Sequence, residues 1–426
     1  MGVMDLRLTL APADLNRFRS HPVLRGFKQG RPRNQSDRGE VLAGESAHPY
    51  RLIRSIYDLA GTAWSAEMIV SHGTLDQTPF CFIDFRLIDG PGASLCALLQ
   101  ALADAIPFSV SLIELADLVP GHHPASVKSK PPPLTPGMNA AEAFSQIAVS
   151  AYAHLLVNHD CLIRRDAAES IHQMRVALRR LRSAMTMFKE MLTDPASETL
   201  RTELRWLQQI LGAARDWDVL LADTVAPLEQ LLGNLAGYER LCALIAERRQ
   251  QARARALAEL ARPRLAKLML LLAFWTDRAG IDHPSAHRPV SDLARAILDK
   301  RHRKVRREMT RFSDLSVEGR HQCRIDIKKL RYAVDFFAGL YPVRRGQRLL
   351  PLLASLQDRL GTLNDVAIAH DKLEVLVMED GSAELAWAAG QLIGWHSGRA
   401  GRLLGQIHDD WLAVERVPPF WRDPDS

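Results

Sequence analysis

The chain has 426 residues, room for two or three domains, and its 47% hydrophobic residues are ordinary for a globular protein and exclude a fibrous or wholly disordered one. The net charge of +6 conceals a segregation: residues 164–182 contribute +4 and residues 299–331 contribute +7, leaving −5 for the remainder. Positive charge concentrated in this way implies a polyanionic partner, whereas five scattered cysteines without a CxxC pair suggest neither a disulfide framework nor a thiolate zinc site.

From the N-terminus, MGVMDLRLTL places Asp5 and Arg7 inside what would have to be the apolar stretch of a signal peptide, so a cytoplasmic location is expected. Residues 1–120 mix strand-like stretches, DLRLTL and FCFIDFRL, with turn residues and one helical stretch near 93–106, which reads as a small α+β domain. Residues 121–138, beginning GHHPASVKSKPPPLTPG, are rich in proline and read as a linker. From 139 to 426 helical periodicity is interrupted only by breakers such as Asp194-Pro195, Gly280, His283-Pro284 and Gly346, so a mainly α fold follows. The apolar run LMLLLAFW at 268–275 falls far short of the roughly 20 residues that span a bilayer and reads as a buried helix; no membrane association is expected.

The helical region contains one unit twice. HQMRVALRRLR at 172–182 returns as HQCRIDIKKLR at 321–331, and LQQILGAARD at 207–216 returns as LQDRLGTLND at 356–365, both at an offset of 149 residues. Two pseudo-symmetric helical bundles, about 139–285 and 286–426, fit this repeat. Met174, Ala177, Leu178, Leu181, Ala184, Met185 and Phe188 form the apolar face of the first copy; Cys323, Ile327, Leu330, Val334 and Phe337 form that of the second. Gly212 and Gly361 are expected to permit close helix packing.

At about 100° per residue, His172, Arg175, Arg179 and Arg182 share a sector of roughly 80° beside the apolar face. His321, Arg324, Lys328 and Arg331 repeat it, whereas Arg180 and Lys329 point elsewhere. Each stripe extends about 15 Å at 1.5 Å per residue, enough for several successive phosphates. Like charges at this spacing repel, so the stripes read as two walls of a groove whose repulsion an anion relieves. Arginine offers bidentate bonds to phosphate and histidine can donate one.

Just before the second stripe, DKRHRKVRREMTRF supplies a further basic surface of Lys300, Arg303, Lys304, Arg307 and Arg311; VNHDCLIRRD in the first copy is less basic. The anion is therefore expected off-centre, toward the second copy. No metal site is expected, because one imidazole per helix with few carboxylates nearby is a poor ligand set. Asp216 and Asp365 read as metal ligands, as catalytic carboxylates, or, preferably, as acceptors that fix the rotamer of a stripe arginine.

Over residues 139–426 these motifs resemble the CHAD family of α-helical domains. The resemblance implies two pseudo-symmetric bundles that bind inorganic polyphosphate in the basic space between them, without catalysis or a cofactor, and in some members at polyphosphate granules. The positions it implies for polyphosphate binding are His172, Arg175, Arg179, Arg182, His321, Arg324, Lys328 and Arg331, with Arg303, Lys304 and Arg307 as additions. Residues 1–120 look like a degenerate, shortened CYTH domain, the triphosphate tunnel fold that precedes CHAD in many members. Where that family carries ExExK this chain has Val3, Asp5 and Arg7; where it carries ExExE this chain has Phe82, Asp84 and Arg86. Two lone aspartates are a weak set for the divalent ions that a tunnel phosphatase needs. Metal-dependent triphosphatase activity is one alternative; nucleic-acid binding is another, disfavoured because no aromatic residues interleave the stripes for base stacking.

Overall fold

The computed structural model describes residues 5–43, 46–119, 125–165, 168–276, 283–341 and 343–422. Val3 and Gly280, read above as a motif position and a breaker, lie outside them. The first part is an antiparallel sheet of β1 (Asp5–Leu10), β2 (Lys28–Ala43), β3 (Ser46–Ala60), β4 (Ser65–Leu75), β5 (Thr78–Asp89) and β6 (Phe108–Val110), in the order β2-β3-β4-β5-β1-β6. Helices α1 (Leu15–Ser20), α2 (Pro22–Arg25) and α3 (Gly92–Ala105) complete it. Among the described residues the outer strands β2 and β6 do not pair with each other, so the sheet described is open.

The remainder is helical: α4 (Ala140–Arg165), α5 (Ala168–Met187), α6 (Pro195–Val219), α7 (Glu229–Leu232), α8 (Tyr238–Leu260) and α9 (Pro263–Thr276), then α10 (Val290–Met309), α11 (Val317–Phe337), α12 (Val343–Asp380) and α13 (Ala383–Glu415). Pro195 opens α6 at a position that needs no amide, and the Asp194 side chain caps it by accepting from the Ser197 amide. Gly346, expected as a breaker, lies inside α12. Shifted by the repeat offset, α4, α5, α6 and α8 fall on α10, α11, α12 and α13. The apolar run read as a buried helix is α9, which has no separate counterpart helix among the described residues; Leu268, Met269, Leu270 and Leu272 are almost fully covered.

Helix α9 joins the two parts. It packs on α3, where Lys267 pairs with Asp104 at 2.5 Å and Gln100 donates to the Lys267 carbonyl at 3.3 Å. A continuous apolar core consequently runs from the sheet (Leu8, Met68, Phe85) through α3 into the bundles. The proline-rich segment is no free tether over its described residues. Asn158 and His154 of α4 hold the backbone of Val127. Arg180 donates to the Lys130 carbonyl at 3.0 Å, and Leu134 is buried. Residues 125–137 thus form a strap across the helices.

Several residues meet their own repeat equivalents. The rings of Phe188 and Phe337 lie 6.2 Å apart, and Asp216/Asp365, Val219/Ile368 and Leu220/Ala369 line one small cavity. Equivalent residues touch only where the twofold that relates them passes, so these pairs mark the pseudosymmetry axis. Arg179 and Lys328, also equivalent, line one cavity and lie within Coulombic reach of each other.

A cationic cleft on the pseudo-twofold axis

Lys328 is the centre of the candidate site. Burial, reinforced by the charges of Arg179, Arg324, Arg175 and Arg331, pushes its ammonium down to about 7. Cations from both stripes therefore lie within Coulombic reach of one another, and the two copies supply opposing walls. Burial also lowers the arginines Arg175, Arg182 and Arg324 from their usual value. His172 is lowered by burial and then by Arg215; His321 is exposed, its Nδ1 3.0 Å from Asn364 Oδ1.

The walls are fixed by bonds that repeat with the fold. Arg182 donates to Gln208 Oε1 and Arg331 to Gln357 Oε1, equivalent pairs that tie each stripe to the next helix. Arg179 Nε donates to Tyr332 Oη at 3.1 Å, joining the two copies. Arg175 feels the field of Asp216 and Arg324 that of Asp365, yet no direct hydrogen bond joins either pair among the described residues. The aspartates thus hold the arginines through space rather than as bonded acceptors. Burial raises the Asp365 carboxyl, and the nearby Asp223 and Asp216 add to the rise.

Arg180 leaves the cleft, whereas Lys329 lines the cavity that opens beside it. Arg180, 2% exposed, pairs with Asp335 and lies over Phe336, and Lys329 pairs with Asp326 at 3.0 Å.

The glycines are not packing contacts. A Cβ on Gly212 would lie 2.5 Å from Arg175 Nη1, so the missing side chain makes room for a stripe guanidinium; a Cβ on Gly361 would meet nothing within 4 Å. Gly361→Ala should therefore raise thermal stability, by up to about 1 kcal/mol from helix propensity, without changing anion affinity. Gly212→Ala should fold as well but displace Arg175 and weaken anion binding about three- to tenfold, an estimate equal to part of one charged hydrogen bond. Paired melting curves and binding titrations of the two variants check both halves.

A cavity of about 560 Å³ opens off the axis and is lined by Arg179, Arg182 and Lys328 together with Arg201, Arg205 and Arg301. The last three were not among the residues read from the sequence. Arg301 is anchored through Nη1 on the Lys329 carbonyl, and burial pushes it down to about 10. Arg201 and Arg205 belong to α6, where the second copy has Leu350 and Ala354. Arg303, Lys304 and Arg307 do not line this cavity. Lys304 is engaged by Asp326 at 2.8 Å and Glu308 at 3.7 Å, and Arg303 Nε donates to its own helix at Asp299. Glu198 of α6 also lines the cavity and pairs with Arg201 at 3.1 Å and with Arg205 at 4.0 Å, so both copies supply cations to it.

In the sheet, the positions compared with a metal-binding tunnel neutralise one another. Strands β1 and β5 pair Asp5 with Arg86 and Arg7 with Asp84, and the side chains form ion pairs at 3.0 and 2.6 Å. Each carboxylate already has a guanidinium partner, so this set does not fit a divalent ion. Among the described residues no group of three or more His, Cys, Asp or Glu is placed to hold a metal, and no helix is long and apolar enough to cross a membrane.

Fold and site together define a duplicated α-helical domain with a cationic cleft on its internal twofold. The CHAD domain family matches residues 146–374, more than half of the chain, and the chain belongs to that family, which is associated with polyphosphate binding. The crystal structure of the CHAD domain from the plant Ricinus communis is similar with a TM-score of 0.61 and 32% identity, covering 69% of this chain and 99% of that one. PptA from Streptomyces chartreusis, at 17% identity and a TM-score of 0.52 over 64% of this chain and 99% of its own, shows the shared fold alone. Two uncharacterized proteins of Mycobacterium tuberculosis are 30% identical over 163 residues, 37% of this chain and 26% of theirs. The chain spans about a quarter of the length of those curated relatives.

Proposed function

We propose that this protein binds inorganic polyphosphate in the cleft between its two helical repeats, without catalysis of its own, at cytoplasmic polyphosphate granules. One observation carries the reading: Lys328 sits among Arg175, Arg179, Arg324 and Arg331, a crowding of charge that a bound anion would relieve. The polyphosphate enters along the twofold and continues into the cavity lined by Arg201, Arg205 and Arg301. Isothermal titration with long-chain polyphosphate is expected to show tight, salt-sensitive binding, and the absence of heat at low ionic strength sinks the reading.

Nucleic acid is the weaker ligand. The aromatic side chain at the cleft, Tyr332, is 3% exposed and cannot offer its face to a base. Duplex DNA or RNA that displaces polyphosphate at equal phosphate concentration would reverse that preference. In the sheet, the Asp5–Arg86 and Arg7–Asp84 pairs support a non-catalytic reading; phosphate release with magnesium or manganese, abolished by Asp5→Ala, would overturn it.

The two outlying basic surfaces make a separate prediction. Arg201→Ala with Arg205→Ala should lower affinity and flatten the plot of log K against log salt by about 1 to 2 units, because each lost phosphate contact removes up to roughly 0.9 from the slope. Arg303→Ala with Arg307→Ala should change the slope less. Equal effects of the two pairs would place the anion centrally.

A further inference from the structure

A second cavity, of about 730 Å³, lies where β1, the end of α3 and β6 face α4, α8 and α9. Its size is that of a small-molecule site, and domain interfaces are where such sites concentrate. The walls are mainly apolar: Leu10, Ile106 and Phe108 on the sheet side, Leu257, Leu260 and Met269 on the helical side.

Two lining residues carry buried polar atoms without a hydrogen-bond partner among the described residues, Nδ1 of His159, whose residue is 3% exposed, and Oγ1 of Thr9. Leaving such an atom unpaired costs about 1–3 kcal/mol, and native structures avoid it. Burial pushes the His159 imidazole down to about 4, so it is neutral at pH 7 and can exchange a hydrogen bond with an uncharged group. At the mouth, Arg17 and Arg262 are 62% and 66% exposed. Arg17 donates to the Ala105 carbonyl at 2.6 Å and lies 3.8 Å from Asp14; Arg262 is 2.9 Å from Glu259. Asp104, also at the mouth, is matched by Lys267.

We propose that this interdomain cavity binds a small amphiphilic organic acid. Its apolar body lies between Ile106 and Leu260, its carboxylate meets Arg17 and Arg262, and a hydroxyl or carbonyl on the body completes the hydrogen bonding of His159 and Thr9. The site is separate from the cationic cleft and does not depend on what binds there.

The test is calorimetric titration of the full chain with 10-hydroxydecanoate, decanoate and 1-decanol. The expected order is hydroxy acid, then acid, then alcohol, with one site per chain and at least a fivefold advantage of the hydroxy acid over the acid. His159→Phe should erase that advantage, and Arg17→Glu with Arg262→Glu, both largely exposed, should, in a chain whose melting shows it folded, cost at least tenfold for both acids and leave the alcohol unchanged. Leu260→Trp, which fills the cavity, should abolish all binding in a chain whose melting shows it folded. No saturable binding by the natural chain overturns the proposal, as does an alcohol that binds as tightly as the acids or undiminished acid binding after the double arginine change.

Discussion

Replacing Arg179 and Lys328 together by glutamate is expected to reduce polyphosphate affinity by at least about a thousandfold. Each of these equivalent residues offers a charge-assisted hydrogen bond worth about 1.5–3 kcal/mol, and reversing both puts two negative charges on the axis where the polyanion must pass. The helices should survive, because both side chains are only partly buried and neither belongs to the apolar face. Stability should move the other way. Lys328 is surrounded by four arginines, so Lys328→Met, which keeps the stem and removes the charge, should raise the melting temperature of the ligand-free protein while weakening binding, the trade-off expected of a site strained for its ligand. Circular dichroism, melting curves and titration of the single and double variants check both signs. Unchanged affinity in the double variant would move the site away from the axis.

Much of this cleft could be read from the sequence, because helical angle and repeat offset are geometric. Four residues in a narrow sector must share a helix face, and a second copy must repeat that face. The Phe188–Phe337 contact then sets the two copies across one axis. What escaped was supplied by neighbouring elements. Arg201 and Arg205 sit on α6, and their signal was a difference between copies: at the repeat offset they face Leu350 and Ala354, and Arg215 faces Asn364. A charge count over the basic run at 300–311 ignores partners. Lys304 meets Glu308 one turn on, visible in the sequence, and Asp326 on the next helix, which only the fold brings near. The glycines misled for a similar reason: Gly212 makes room for a charged side chain from α5 rather than for another helix. The proline-rich strap reads as a linker in composition, and its anchoring by Asn158 and Arg180 depends on long-range contacts.

Polyphosphate affinity is expected to fall as pH rises above 7, by up to tenfold per unit. Lys328 in the free protein titrates at about 7, held there first by burial and then by its arginine neighbours. A bound polyanion supplies the missing countercharge and draws its value back up toward the ordinary 10.4. Below pH 7 the ammonium is charged in both states and contributes no slope. Between the free and bound values, binding must take up a proton, and the affinity falls with each unit as the proton becomes scarcer. Phosphates inside a long chain keep one charge throughout this range, so the ligand adds no opposing term. A further group acts below the Lys328 window and with the same sign: His172, lowered by burial and Arg215, gains charge on acidification. The discriminating variant is therefore Lys328→Arg, which keeps a cation whose charge persists across this range. It should bind as well as the natural chain at pH 6.5, lose the decline between pH 7 and 9, and retain the weaker dependence at lower pH. Titration at pH 8 in buffers of different ionisation enthalpy should register uptake of nearly one proton per complex for the natural chain and almost none for Lys328→Arg. If both proteins show the same slope, the proton belongs to another group, and the crowding of charge around Lys328 is not what the anion relieves.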